Sequence, residues 1–198
     1  MTEGVLRGRL RAETADLHER LHRHPGLSAA ASGAIDMDDY RALLMRLYGF
    51  HRAFESRLGE FAGTGEALAR SQLLASDLQT LGVTPEKCAY LPICDALPSI
   101  TQEAEALGAL YVVEGSSLGG ARIAQALRAN LLRRDGKGCR FFSNDGARPR
   151  AWENVLTRLN AIDDRSQEQA VIAAARATFQ AFDAWMKGVE RAVAPRVA

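Results

Sequence analysis

The stretch Tyr111-Val112-Val113-Glu114-Gly115-Ser116-Ser117-Leu118-Gly119-Gly120-Ala121-Arg122 interrupts a run that otherwise spells one long helix, from residue 101 to about 133. Three glycines in six residues weaken a helix by about 1 kcal/mol each relative to alanine, roughly 3 kcal/mol together. A chain rarely keeps such weakness without a use. Gly115 and Gly119 lie one turn apart, so they share a face and strip it of side chains. There the backbone can bend and approach something flat. Tight helix–helix packing also uses small residues at this spacing. A phosphate cradle fits worse, because no strand precedes the glycines and the spacing is neither GxGxxG nor that of a P-loop.

Helical periodicity extends to both sides of this segment. Over residues 2–22, Leu6, Leu10, Leu17 and Leu21 fall within about 60° of one another on a helical wheel. Arg23-His24-Pro25-Gly26 is expected to stop that helix. Asp36, with Asp39 three residues on, is the expected N-cap of a second helix over residues 37–58. Its apolar stripe is Tyr40, Leu43, Leu44, Leu47, His51, Phe54 and Leu58, with His51 read as a hydrogen-bonded interior histidine. Gly63-Thr64-Gly65 breaks the pattern, which resumes over residues 66–81. Residues 82–99, with Pro85, Pro92 and Pro98, read as a connection holding one short helix. Residues 135–149 read as loop, with Phe141-Phe142 the only strand-like pair. Helices resume over 150–161 and 166–193. There is no useful period-2 alternation and no internal repeat. The expectation is an all-α protein, one domain over residues 1–198.

Composition narrows the function classes. The 198 residues are 47% apolar and 25% charged, the balance of a globular chain with a core. Disordered tails, collagen-like repeats and disulfide-stapled miniproteins are excluded. Lys plus Arg is 25 against 24 Asp plus Glu, a net charge of +1, so no bulk field draws in nucleic acid or an anionic membrane. Cys88, Cys94 and Cys139 are odd in number and lack CxxC spacing, which argues against a disulfide framework or a thiolate zinc knot. The first ten residues lack a signal-peptide core, and no run approaches the roughly 18 apolar residues of a membrane span. A cytoplasmic protein with no nucleic-acid or membrane partner is expected.

His18-Glu19-Arg20-Leu21-His22 spells HExxH, the pattern of a zinc hydrolase in which two imidazoles hold the metal and the Glu activates its water. The helix ends soon after His22, and no HxxGxxH continuation follows. A two-iron carboxylate bundle would need a second ExxH, which the chain lacks. His18 lies about 90° from the centre of the apolar stripe, and Arg11 projects only about 20° from His18 on the wheel. A neutral imidazole at that boundary could ligate a metal while the cation pairs with an anionic rim. A boundary histidine beside a solvated arginine is the plainer alternative. Phe179, Phe182 and Trp185 on the last helix sit at spacings typical of a core.

Together these segments resemble the heme oxygenase family, in particular the bacterial biliverdin-producing type associated with bacteriophytochromes. Leu10-Arg11-Ala12-Glu13-Thr14-Ala15-Asp16-Leu17-His18 is similar to the family's proximal helix, with a Thr four residues before the iron-ligating His. Tyr40 to His51, Phe54-Glu55, Ala109 to Gly120, Phe141-Phe142, Trp152 and Ala175 to Trp185 follow in the family's order. Residues 59–99 carry little of the likeness. Ser116 stands where many members have Asp, and the bacteriophytochrome-associated branch resembles this chain in having Glu-Gly-Ser there. His22 stands where some have Glu, and Ser143-Asn144-Asp145-Gly146 follows the phenylalanines where Tyr-Gly is common.

The resemblance implies a helical bundle with heme between the N-terminal proximal helix and the kinked, glycine-rich distal helix. It implies His18 as axial iron ligand and Thr14, Tyr111, Phe179 and Phe182 around the heme. Arg11 is the candidate propionate partner, since a guanidinium grips carboxylates bidentately. Gly115, Ser116, Gly119 and Gly120 would shape the oxygen side. Heme would be substrate and cofactor, with O2 as co-substrate and no tightly bound flavin or nicotinamide. Electrons would come from an external donor, a ferredoxin or reductase. Products would be biliverdin, CO and ferrous iron, with a biliverdin-accepting phytochrome as a candidate partner. A heme- or tetrapyrrole-binding protein of the same fold without turnover is the alternative reading, and the HExxH hydrolase a third.

Overall fold

Leu6, Leu10 and Leu17 are buried along one side of helix α1, Val5–His22, as their spacing predicts. The computed structural model describes residues 4–62, 70–132, 136–143 and 147–190. The remaining helices are α2 Pro25–Ser32, α3 Met37–Leu58, α4 Arg70–Thr80, α5 Pro85–Ala89, α6 Glu103–Ser116, α7 Gly120–Asn130, α8 Ala147–Asn160 and α9 Arg165–Glu190. A 3-10 turn over Ser117–Gly119 joins α6 to α7, and another over Gly59–Ala62 ends α3. The fold is all-helical, with no strand among the described residues. The Gly63-Thr64-Gly65 break and Asn144-Asp145-Gly146 lie outside the described residues.

Two apolar clusters build the interior. One gathers Leu6, Leu10 and Leu17 of α1, Phe50 to Leu58 of α3, the apolar residues of α6, and Val171, Ala175 and Phe179 of α9. The other gathers Tyr40 to Leu47 of α3, Leu74 and Leu78 of α4, Leu127 of α7, and Phe141 and Phe142. Phe182 and Trp185 of α9 pack against both. Helices α3 and α9 therefore knit the clusters together.

Helix α1 stops at His22, as Arg23-His24-Pro25-Gly26 predicts, and the same residues open a further helix that the sequence does not announce: Pro25 occupies the first helical position of α2, where its missing N–H costs nothing. The His24 ring caps it, Nδ1 accepting from the Leu27 amide at 3.4 Å while Nε2 lies 3.2 Å from the Met186 carbonyl oxygen. Phe141-Phe142 lies in a turn, as the loop expected there allows. The buried Asp77 carboxylate holds it, accepting from the amides of Arg140 at 2.9 Å and Phe141 at 2.8 Å. The Asp36 cap forms as expected, Oδ1 accepting from the Asp39 amide at 2.8 Å. His51 is buried, its ring 5.6 Å from that of Phe50 and 5.2 Å from that of Phe141.

Helix α6 crosses α9 at Gly108, where a Cβ would lie 2.2 Å from the Val171 carbonyl oxygen. Backbone meets backbone there, and neither can yield cheaply. Gly108→Ala is expected to cost about 1–3 kcal/mol through overpacking. Thermal unfolding should show a fall of roughly 2–4 °C per kcal/mol for a chain of this size.

Candidate active site

Helix α1 runs parallel to α9, in a register set by three contacts. Arg9 pairs with Glu168, Arg176 reaches the Glu13 carbonyl and the Asp16 carboxylate, and the His18 ring meets Phe179 edge-on with centroids 6.3 Å apart. α9 thus fixes the end of α1 that carries His18. That side chain stands at the edge of the core with part of its ring in solvent. The His22 ring lies 4.5 Å away.

Several groups hold the His18 imidazole below its ordinary pKa of 6.5. Partial burial is the largest cause and neighbouring His22 the next; Arg11 pushes the same way, and Glu19 opposes. The sign sets the pH dependence. A base whose folded pKa is depressed favours the folded state fully above 6.5, and loses that contribution as pH falls through the lowered value. The ring therefore stays neutral, and able to ligate, into mildly acid solution. A pH titration of the hemin Soret band is expected to show ligation surviving below pH 6.5. A midpoint at or above 6.5 would contradict this.

The zinc-hydrolase pattern finds no support in the geometry. Glu19 is ion-paired with Arg23 at 3.0 Å on the solvent face, and no group of three or more His, Cys, Asp or Glu side chains converges among the described residues.

The distal candidates separate into distinct environments. Helix α6 ends where Ser116 Oγ donates to the Val113 carbonyl at 2.7 Å and Ser117 Oγ donates to the Glu114 carbonyl at 2.6 Å. Each hydroxyl tightens the turn beneath it. A Cβ on Gly115 would touch Trp152 of α8 at 3.4 Å, whereas one on Gly119 would meet nothing within 4 Å. Gly120 packs on the Phe142 backbone, whose carbonyl oxygen would lie 2.9 Å from a Cβ. Ser116, Leu118 and Gly119 face solvent, Leu118 with 61% of its surface exposed.

The other sequence candidates scatter. Tyr111 is half-buried with its ring 5.6 Å from that of Trp152. Arg11 is exposed on α1. Thr14 is buried and donates to the Leu10 carbonyl at 2.7 Å, one turn back on its own helix. Phe182 is half-buried, 4.7 Å from Phe50 between centroids. Of the residues that the resemblance places around the heme, Phe179 is the one whose ring meets that of His18 among the described residues. A separate cavity of about 400 Å³, lined by Gln102, Glu103, Leu107, Arg158, Ile162 and Gln167, opens at the start of α6. The length of α6 places it about 20 Å from the glycine turn.

Sequence reasoning missed the pairing of Glu114 with Arg70. Both side chains are buried, and Arg70 Nη2 donates to Glu114 Oε2 at 2.7 Å. A usable signal existed: Glu114 is the one charge in the apolar run 106–114, and a lone buried charge requires a partner. Nothing local marks Arg70.

A sequence profile described as heme oxygenase matches residues 5–188. The chain belongs to the heme oxygenase family. A heme oxygenase from Xanthomonas campestris pv. campestris (strain 8004) is 36% identical over 107 residues, 52% of this chain and 61% of that protein. The match thus spans about three fifths of the relative's length. Among solved structures, heme oxygenase from Leptospira interrogans has a TM-score of 0.74 at 19% identity, covering 92% of this chain and 98% of that one. Heme oxygenase-1 from Synechocystis sp. PCC6803, in complex with heme, has a TM-score of 0.71 at 18% identity, with 95% of each chain covered. A domain of unknown function from Shewanella denitrificans OS217 shares the heme oxygenase-like fold, with a TM-score of 0.71 at 13% identity over 92% of this chain and 90% of that one. At such identities the likeness speaks for the architecture.

Proposed function

We propose that this chain is a heme-degrading oxygenase of the bacterial biliverdin-producing type, working in the cytoplasm as a single domain over residues 1–198. One observation carries the reading: the two candidate faces are each ready for a flat ligand. His18 offers a ring kept neutral beside the edge of Phe179, and Gly119 leaves open space where any other residue would put a side chain.

Heme, as substrate and cofactor, supplies the iron at which O2 is reduced and the porphyrin carbon that is oxidised. His18 would be its axial ligand, with α9 setting the ring's position through Arg176 and Phe179. Arg11, exposed on the same helix, would grip a propionate. The Gly119 backbone would lie against the porphyrin, Gly115 would admit Trp152 beside the turn, and Leu118 would cover the rim of the porphyrin. Ser116 Oγ spends its proton on the Val113 carbonyl and keeps its lone pairs for ordered water. The only carboxylate at the turn, Glu114, is buried and paired with Arg70. No acidic side chain therefore faces the oxygen side among residues 115–120, so proton delivery falls to water held by backbone and hydroxyl groups. Such a site suits oxidation of the ring over O–O cleavage driven by a side-chain acid.

The electron donor would be external, a ferredoxin or reductase, and a phytochrome would accept the biliverdin. The test is direct. Purified protein mixed with hemin should develop a Soret band, and reductant with O2 should replace that band by biliverdin absorption. Heme that persists unchanged would leave the second reading, a binder without turnover, which the Shewanella domain of the same fold and unassigned role keeps in view. Failure to bind hemin would remove both.

A further inference from the structure

Glu114 is the last side chain before Gly115, and it points into the protein. Its carboxylate, 2% exposed, meets the Arg70 guanidinium, 5% exposed: Nη2 donates to Oε2 at 2.7 Å and Nε to Oε1 at 3.4 Å. Arg70 opens α4, and that end of α4 is held in turn from α3. The Glu55 carboxylate accepts from the Ser71 amide at 2.8 Å, from the Ser71 hydroxyl and from the Arg70 amide. A chain of polar contacts thus runs from α3, through the first residues of α4, to the α6 residue just before the glycine turn.

The backbone of Glu114 is equally committed. Its carbonyl oxygen accepts from the Ser117 hydroxyl at 2.6 Å and from the Ser117 amide, the bonds that wind α6 into the 3-10 turn. One residue therefore carries both the interior ion pair and the hydrogen bonds of the break.

Stability is a poor explanation for this pair. Taking two charges out of water is expensive, and an apolar pair of similar volume is often as stable. What the pair adds is uniqueness: a planar guanidinium fork receives a carboxylate in few orientations, whereas an apolar contact can slide. We propose that Arg70 is a positioning residue, which through Glu114 fixes where the turn 115–119 lies, and so which part of a bound heme faces it. The heme-dependent half of this inference rests on the function proposed above; the placement of the turn does not.

The test uses the double variant Arg70→Met/Glu114→Leu, which replaces the ion pair by apolar side chains. It should melt close to the parent protein. In the heme-free protein, hydrogen exchange of amides 115–119 should accelerate about tenfold while α9 amides keep their rates, and hemin affinity should fall on the order of tenfold, the scale of losing an outer-shell partner. A parent that yields one biliverdin isomer should become a variant that yields a mixture. Unchanged exchange at 115–119 in the folded double variant would overturn the proposal. If that variant does not fold, Arg70→Lys decides: it keeps the charge and loses the fork, and a parental exchange pattern there would overturn the proposal equally. A parent protein that fails to degrade hemin would sink the proposed function, while the exchange measurement still judges the positioning role.

Discussion

His18→Ala is expected to abolish the Soret signature of axially ligated hemin and to stop ring cleavage, while leaving the fold intact. The ring lies at the margin of the core, and its removal leaves Leu10 and Leu17 of α1 buried as before. The loss should exceed the roughly 10–100-fold that follows removal of a mere outer-shell partner of a metal ligand. His22 is the obvious competitor, since its ring lies 4.5 Å from that of His18. It sits at the last residue of α1 and has no counterpart to the contact between His18 and Phe179. His22→Ala should therefore retain the Soret band. It should also move the His18 titration up toward 6.5, because His22 is the second cause of the depressed value. Added imidazole should restore the band in His18→Ala, which would show that the site survived the loss of its ligand. A His18→Ala protein that still binds and degrades hemin normally would remove His18 from the role.

The second large effect concerns two neighbouring glycines whose substitutions should act in opposite directions. Gly119 has φ −81° and ψ −16°, right-handed values open to any residue, and a Cβ there meets nothing within 4 Å. Gly119→Ala should stabilise the heme-free protein by up to about 1 kcal/mol, because alanine loses less conformational freedom on folding. Gly119→Leu should keep most of that gain yet weaken hemin binding at least tenfold, about 1.4 kcal/mol. Gly120→Ala should instead destabilise, since its Cβ would press on the Phe142 carbonyl oxygen at 2.9 Å. Thermal melts and hemin titrations of the three variants separate a glycine kept for the ligand from one kept for packing. If Gly119→Leu binds hemin like its parent, the porphyrin does not lie on that face.

Local chemistry was legible in the sequence, and convergence was not. The Asp36 cap, the stripe of α3 and the glycine break could be read because each depends on residues a few positions apart. His24-Pro25 marks the end of α1 in the sequence but not the start of α2, because proline both ends and begins helices and the docking of the His24 ring near the Met186 carbonyl, 162 residues away, is not local. The loop around Phe141-Phe142 is legible, but its conformation is not, because the Asp77 carboxylate that holds the turn comes from α4. At the site, spacing singles out His18 and the glycine cluster, while their proposed roles come from the family resemblance. That Gly120 serves packing and that Arg70 reaches Glu114 follow from the tertiary arrangement.

The parallel pairing of α1 with α9 has a consequence for the order of assembly. The proposed ligand-bearing helix leaves the ribosome well before the partners that seat it, Glu168, Arg176 and Phe179: Arg9 and Glu168 lie 159 residues apart in the chain, and Glu13 and Arg176 lie 163 apart. Until α9 follows, His18 would hang on a helix without those partners. A nascent chain halted before α9 should therefore be unable to take up hemin, so heme capture would report that synthesis has passed α9, and the protein could not seize its substrate half-made.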